Sequence, residues 1–238
     1  MPRPVSAPLL AVEGLNAFYG ESHILHGVDF HVDRGELVTL LGRNGAGRTT
    51  TLRAMLGLVG RRHGSVRIEG REAIALPPHR IARLGVGYCP EERGIFASLS
   101  TEENLTLPPT VAPGGMTLEE IYALFPGLGE RRRTPGGRLS GGERQMLAVA
   151  RILRTGARLL LLDEISEGLA PIIVQVLSRS IRELRARGYT IVMVEQNFRF
   201  AAPLADRFYV MERGRVVQSF TAAELPERTQ MLQEFLGV

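Results

Sequence analysis

A glycine-rich loop directly follows a short apolar run near the start of the chain. Residues 37–41 are continuously apolar apart from one threonine, and residues 42–50 read Gly-Arg-Asn-Gly-Ala-Gly-Arg-Thr-Thr. This spacing matches G-x-x-x-x-G-K-[ST], except that Arg48 stands where lysine is usual. Such glycines let backbone N–H groups face phosphate oxygens, and the helix that follows adds partial positive charge. The segment therefore predicts an α/β fold that binds a nucleoside triphosphate.

Every residue of this loop is a candidate ligand for the triphosphate. Thr49 is placed to bind Mg²⁺, and Thr50 can reach a phosphate. Arg48 keeps the charge of lysine, but arginine is planar and forked, so the exchange is not conservative. The chain contains no lysine, and all 29 of its basic residues are arginine. The predicted nucleotide contacts are Gly42, Arg43, Asn44, Gly45, Ala46, Gly47, Arg48, Thr49 and Thr50.

The order of apolar segments predicts a largely parallel sheet. Residues 10–18 and 24–32 alternate like strands with one buried face. Apolar runs at 37–41, 159–162 and 190–194 are typical of parallel strands buried on both faces. Further strands are predicted at 65–69, 86–88, 208–211 and 216–218, and helices at 49–58, 172–187 and 222–236.

Residues 92 to about 155 have a different character. Pairs and triplets of proline and glycine interrupt this stretch, and helices are predicted at 117–125 and 142–153. Thr117 and Glu120 have the spacing of a capping box at the start of the first of these helices. We expect an inserted helical subdomain within a single domain that spans residues 1–238.

Composition limits the possible environments and partners. The net charge of +4 and the pI near 9.8 would suit nucleic acid, but the only dense basic run is 131–133. We therefore expect no nucleic-acid partner. Cys89 is the only cysteine, which rules out an internal disulfide and fits a reducing compartment. The sequence has neither a signal peptide nor an apolar run long enough to span a bilayer.

Two acidic residues follow the leucine run at 159–162. Asp163 is predicted at the carboxyl end of a buried parallel strand, which is the ligand-binding edge of such a sheet. There its carboxylate can hold Mg²⁺, directly or through water. The adjacent Glu164 can polarise an attacking water molecule.

A second glycine-containing segment is the most specific motif in the chain. Residues 139–145 read Leu-Ser-Gly-Gly-Glu-Arg-Gln and precede a predicted helix, whose N-terminus can bind an anion. This segment resembles the signature motif of ABC ATPases, and the order of phosphate loop, signature and Leu-Leu-Leu-Leu-Asp-Glu matches that family along nearly the whole chain. The resemblance implies a P-loop NTPase of ABC type, with a mostly parallel core, an antiparallel β subdomain and an inserted helical subdomain.

The resemblance also implies how the site is completed. Two such domains pair head to tail, so that each ATP lies between one phosphate loop and the partner's signature residues Ser140, Gly141 and Gly142. Tyr19 matches the aromatic residue that stacks on adenine. Glu91 falls at the Q-loop position and Gln196 at the switch position, where most members have glutamine and histidine. The implied catalytic set is Glu164, Gln196 and Arg48, and the implied metal set is Thr49, Glu91 and Asp163.

Those two departures resemble one subgroup of importers. The subgroup contains the second ATPase of branched-chain amino acid importers and a relative from urea or amide importers; segments 76–85, 102–105 and 168–171 match it as well. The resemblance implies ATP-driven import at the cytoplasmic face of the inner membrane. The implied partners are a related ATPase in a heterodimer, two membrane permeases and, indirectly, a solute-binding protein. Ile165 replaces the proline that the family carries after Asp-Glu.

Two other functions remain open on the sequence. Arg48 could permit nucleotide binding and dimer closure while preventing hydrolysis, which would make the chain a non-hydrolysing subunit. The high pI alone suggests a soluble ABC protein that acts on nucleic acid.

Overall fold

Two sheets organise the chain. The computed structural model describes residues 7–228 and residue 232. The strands in this part are β1 (Leu10–Tyr19), β2 (Ser22–Val32), β3 (Leu37–Leu41), β4 (Arg61–Ile68), β5 (Arg71–Glu72), β6 (Val86–Cys89), β7 (Leu159–Asp163), β8 (Thr190–Glu195), β9 (Arg207–Glu212) and β10 (Arg215–Thr221). The first sheet has the order β2-β1-β4-β5, and all of its pairings are antiparallel.

The second sheet has six strands in the order β10-β9-β3-β8-β7-β6. The five strands from β9 to β6 are parallel, and β10 pairs antiparallel with β9. In the register of this sheet Leu41 lies opposite Glu195, and Asp163 lies opposite Val194. The carboxyl ends of β3, β7 and β8 therefore meet at one edge, as predicted for a mostly parallel core.

Strand β7 is apolar on both faces because each face packs into a different buried cluster. Leu160 and Leu162 belong to the buried cluster that includes residues of the helical segment, such as Leu147. Leu159 and Leu161 belong to a second cluster, which includes residues of the antiparallel sheet. Successive side chains of a strand point to opposite faces, so each cluster receives every second leucine.

Along the sequence, most of the helices connect one strand of the six-stranded sheet to another. Four helices lie between β6 and β7 in the sequence, although these two strands pair directly in the sheet. In the predicted capping box, Glu120 N donates to Thr117 Oγ1 at 3.2 Å, and Thr117 N donates to a Glu120 carboxylate oxygen at 2.8 Å. The helices are α1 (Arg48–Met55), α2 (Pro78–Ala82), α3 (Thr101–Thr106), α4 (Leu118–Leu124), α5 (Pro126–Glu130), α6 (Gly141–Leu153), α7 (Pro171–Ala186) and α8 (Phe198–Ala201).

Several helices differ from the sequence prediction. Helix α1 was expected at 49–58 but ends at Met55. Helices α2, α3, α5 and α8 were not predicted, because segments of four to six residues are too short to reveal a helical period. The expected helix at 222–236 begins with a 3-10 turn, Ala222–Glu224, and residues 225–228 are helical. Residues 229–231 and 233–236 of that prediction lie outside the described residues.

Candidate nucleotide-binding site

The phosphate loop joins β3 to α1 at the carboxyl edge of the parallel sheet. Gly47 is the N-cap of α1 with φ of 102°, a left-handed conformation that favours glycine. A Cβ atom at Gly47 would lie 2.9 Å from a methyl carbon of Leu25, and one at Gly42 would lie 2.6 Å from the carbonyl oxygen of Met211. The glycines therefore let the loop pack closely against β2 and β9 while its outer side stays open.

A cleft of about 450 Å³ opens on this loop. It brings together most of the predicted loop residues with the predicted adenine-stacking and acidic residues. Tyr19 stands at its edge with 46% of its surface exposed. The lining residues are Tyr19, Ile24, Asn44, Gly45, Ala46, Gly47, Arg48, Thr49, Thr50, Glu91, Glu164 and Glu167.

Two predicted loop residues lie elsewhere. Gly42 is buried behind the loop, where its carbonyl oxygen accepts a hydrogen bond from Arg48. Arg43 is exposed and lines an adjoining cleft of about 410 Å³ together with Glu212 and Arg213; the two clefts share part of the loop.

The guanidinium group of Arg48 is buried and bonded on several sides. Its Nη2 donates to Glu164 Oε1 at 2.5 Å and to Asn44 Oδ1 at 3.3 Å. Its Nη1 donates to the carbonyl oxygens of Gly42 and of Glu195, the latter at 3.2 Å. Only 3% of the Arg48 side chain is exposed. The residue in the lysine position thus forms an ion pair with the carboxylate that the sequence assigns to water activation.

Glu164 lies at the end of β7 in a conformation that is uncommon for a non-glycine residue. Its φ of 49° places it in the left-handed region. The next residue is Ile165, which is fully buried in the core. A proline there would disfavour helical conformations of the residue before it, so isoleucine relieves one constraint on Glu164.

The carboxyl group of Glu164 has an altered affinity for protons. Burial and the nearby carboxylate of Glu167 together raise its pKa to about 7, against the opposing effect of the positive charge of Arg48. A carboxyl group with a pKa near neutrality can accept a proton from water during catalysis.

Glu167 was missed by the sequence reasoning. One carboxylate oxygen from each of Glu91, Glu164 and Glu167 lies within 4.8 Å of the others. The spacing of three residues between Glu164 and Glu167 could have indicated this, because a turn brings residues at that spacing together. The N–H of Glu167 donates to the carbonyl oxygen of Glu164 at 3.3 Å, which closes such a turn. The cleft is therefore acidic on the side that faces the loop.

The structure joins two of the three predicted metal ligands directly. Thr49 Oγ1 donates to one oxygen of Asp163 at 2.9 Å, and Tyr88 OH donates to the other at 3.0 Å. Asp163 is fully buried, and burial raises the pKa of its carboxyl group. A hydroxyl and a carboxylate are the oxygen donors that Mg²⁺ prefers, so this pair fits the ion. Glu91 lies with the other carboxylates rather than in contact with this pair.

The predicted switch residue Gln196 lies just beyond the end of β8. It is exposed and lines a neighbouring cleft of about 800 Å³, which also includes Glu164 and Ser166. The preceding Glu195 is buried and accepts hydrogen bonds from Ser166 N at 3.1 Å and Ser166 Oγ at 2.9 Å. Glu195 thereby fixes the segment after Glu164 to the end of β8.

The signature segment forms the start of α6. Ser140 caps the helix: its Oγ accepts from Glu143 N at 3.2 Å, and its own N–H donates to the Glu143 carboxylate at 2.7 Å. Gly142 is buried, and a Cβ atom there would lie 2.7 Å from Cγ1 of Ile173 in α7. Ser140, Gly141 and Gly142 do not line the cleft on the phosphate loop of the same chain.

The loop that carries Glu91 is attached to the same helix. Arg93 Nε donates to Gln145 Oε1 at 2.7 Å. Arg151 donates to the carbonyl oxygens of Gly94 at 2.7 Å and Arg93 at 3.1 Å. These hydrogen bonds tie the 90–94 loop, and with it Glu91 in the cleft, to α6.

Comparison with known proteins agrees with this geometry. A family model described as "ABC transporter" matches residues 25–167, which is more than half of the chain. The chain therefore belongs to the ABC transporter family, and its fold is that of an ABC ATPase.

The chain is also similar to individual ATP-binding proteins of known transporters. The high-affinity branched-chain amino acid transport ATP-binding protein BraG of Pseudomonas aeruginosa is 41% identical, and the match covers 96% of this chain and 100% of BraG. The probable branched-chain amino acid transport ATP-binding protein LivF of Archaeoglobus fulgidus is 36% identical, over 97% of this chain and 99% of LivF. A solved ATP-binding subunit of an ABC transporter superimposes with a TM-score of 0.80 at 28% identity, over 97% of this chain and 100% of the solved chain.

Within residues 7–228 and 232, no helix is both long enough and apolar enough to cross a bilayer.

Proposed function

We propose that this chain is the ATP-hydrolysing subunit of an importer for branched-chain amino acids. The observation that carries the proposal is a cleft that Thr49 and Glu164 line, with Asp163 bonded to Thr49 behind it, in a chain that is 41% identical to BraG. The match to LivF supports the same class of cargo. The alternative cargo is urea or a short-chain amide.

The cleft has the parts that phosphoryl transfer to water needs. The backbone of residues 44–50 would bind the phosphates, and Tyr19 would stack on the adenine ring. Glu164 would orient the attacking water molecule, and Gln196 would reach the γ-phosphate once the cleft closes. Thr49 and Asp163 would hold Mg²⁺, with Glu91 nearby; the ion neutralises charge on the phosphate oxygens. Catalysis of this reaction is mostly positioning and charge stabilisation.

The position of the signature segment favours a head-to-tail pair. Ser140, Gly141 and Gly142 lie away from the cleft of their own chain, and the exposed Ser140 and partly exposed Gly141 can contact a second ATPase domain. We infer that this partner is a related ATPase in a heterodimer. The single domain, with its helical subdomain at about 92–155, would bind two membrane permeases at the cytoplasmic face of the inner membrane, and a solute-binding protein would act indirectly through them.

The proposal is tested by reconstitution with the permeases, partner ATPase and solute-binding protein encoded beside this chain. In proteoliposomes, leucine, isoleucine or valine should stimulate phosphate release and enter the vesicles only with ATP. Stimulation by urea or acetamide in place of these amino acids would overturn the assignment of cargo.

The second candidate function is a subunit that binds ATP without hydrolysing it. The ion pair between Arg48 and Glu164 favours it, because this pair engages the group expected to activate water. Phosphate release by the assembled transporter would be compared with that of the Arg48→Lys variant. A rate within about tenfold of the variant would exclude the non-hydrolysing function, since losing one well-placed donor typically costs about 10²–10³ in rate.

A further inference from the structure

The hydrogen bonds of Arg48 leave its two terminal nitrogens without a spare donor. A guanidinium has two N–H groups on each terminal nitrogen and one on Nε. Nη1 donates to two carbonyl oxygens, and Nη2 donates to Asn44 and Glu164. A phosphate can therefore be bound by these nitrogens only if one of the four present acceptors is given up.

Glu164 is the acceptor that an incoming phosphate would replace. The other three are neutral oxygens, and two of them belong to the buried backbone at Gly42 and Glu195. In its ionised form Glu164 is an anion that lines the cleft, and a γ-phosphate is also an anion. Replacing one anion by another conserves the charge-assisted bond to Arg48, whereas replacing a carbonyl would break the loop's own support.

The charge of the cleft favours this exchange when a triphosphate binds. Among the residues that line the cleft, Arg48 is the only basic one, while Glu91, Glu164 and Glu167 are acidic. As long as Glu164 occupies the guanidinium, a polyanion that enters the cleft meets carboxylates with no available cation from these residues.

We infer that Arg48 and Glu164 form a latch that the γ-phosphate of a bound nucleotide opens. In the nucleotide-free chain, Arg48 holds the Glu164 carboxylate; the γ-phosphate takes its place on Arg48 and leaves Glu164 free to orient water. Arg48 is thus a positioning residue for Glu164 as well as a phosphate ligand. The inference rests on the proposed ATPase function and adds to it that binding of ATP itself releases the group that activates water.

A lysine at position 48 would hold Glu164 less firmly than Arg48 does. Its ammonium group is a compact point charge on a flexible stem, with three donors and no fork. It cannot reproduce the two-nitrogen arrangement that joins Glu164, Asn44 and both carbonyls. The latch is therefore a property of the arginine in this chain, and a double-mutant cycle between positions 48 and 164 measures it.

The test is the binding of ATP and ADP to the whole chain by calorimetry, in EDTA so that no hydrolysis occurs. The cycle uses the parent chain, Arg48→Lys, Glu164→Gln and the double variant. Glu164→Gln removes repulsion of the γ-phosphate in both backgrounds, but it breaks the stronger ion pair where Arg48 is present. We expect its gain in ATP affinity to be about fivefold larger with Arg48 than with lysine, and this excess to be smaller for ADP.

The outcomes separate the latch from the proposed function. Equal gains with arginine and lysine, or an equal excess for ADP, would overturn the latch and leave ATP binding intact. Absence of ATP binding by the parent chain would overturn both. Arg43→Lys is the matched control, because Arg43 is exposed in the same loop and lines the other cleft; coupling of equal size there would also count against the latch. If Arg48→Lys does not fold, as judged by circular dichroism, Arg48→Gln takes its place in the cycle.

Discussion

Replacing Gly142 with alanine would place a methyl group against the first turn of α7. The new Cβ atom would lie 2.7, 2.9 and 3.0 Å from Cγ1, Cδ1 and Cγ2 of Ile173. Carbon atoms pack best at about 3.5–4.0 Å, so α6 and α7 must separate locally by about 0.8 Å or the isoleucine must leave its rotamer. Ile173 is β-branched and packs against the core, which leaves it little freedom to adapt.

The expected cost follows from two opposing effects. Overpacking of a well-packed contact costs about 1–3 kcal/mol, and three close contacts with a β-branched side chain place this site near the upper end. Alanine gains up to about 1 kcal/mol of helix propensity over glycine. We therefore expect Gly142→Ala to lower the free energy of unfolding by about 2 kcal/mol.

The adjacent Gly141 provides a matched control. A Cβ atom there meets only Nη1 of Arg93, at 3.7 Å, which is an ordinary contact. Urea unfolding of Gly141→Ala should therefore show unchanged or slightly higher stability, and the difference between the two variants isolates the packing cost. In the double variant Gly142→Ala/Ile173→Ala the two losses should be less than additive. If Gly142→Ala is as stable as Gly141→Ala, the packing argument is refuted.

Two further predictions concern the site. Burial raises the pKa of Glu195 from 4.5 to about 8, so between these pH values the native state holds a proton that the unfolded state has lost. The resulting contribution to the free energy of unfolding is fully present below pH 4.5 and is lost as the pH rises through about 8. Thermal unfolding of Glu195→Gln should lack this decline between pH 5 and 9, and a curve parallel to that of the parent chain would contradict the assignment. Tyr19→Ala should weaken ATP binding by about 3–10-fold through loss of stacking, while Tyr19→Phe should retain it; equal losses in both variants, measured by calorimetry, would exclude stacking.

Much of the fold was predictable because its signals are local. The apolar run at residues 159–162 requires burial on both faces, and the structure divides these leucines between two clusters. The capping box at Thr117 was readable from two residues at fixed spacing. The short helices α2, α5 and α8 were not predictable from a periodic pattern, because four or five residues span little more than one turn. Helix α3 does carry a local signal, the capping box of Ser100 and Glu103.

The sequence by itself determined the class of site. Three motifs indicate this class, and each consists of residues that are adjacent in the sequence. They are the glycine spacing of the phosphate loop, the acidic pair after β7 and the segment at residues 139–145. Together they also determined the family, which the comparisons confirm.

Only the tertiary structure decided how Arg48 is used. Its partners Glu164 and Glu195 lie 116 and 147 residues away in sequence, and they meet Arg48 because β3, β7 and β8 end at the same edge of the sheet. The same convergence placed Glu167 in the cleft and left Ser140 outside it. The sequence shows which charged groups are present. Which of them form ion pairs depends on which strand ends the fold brings together.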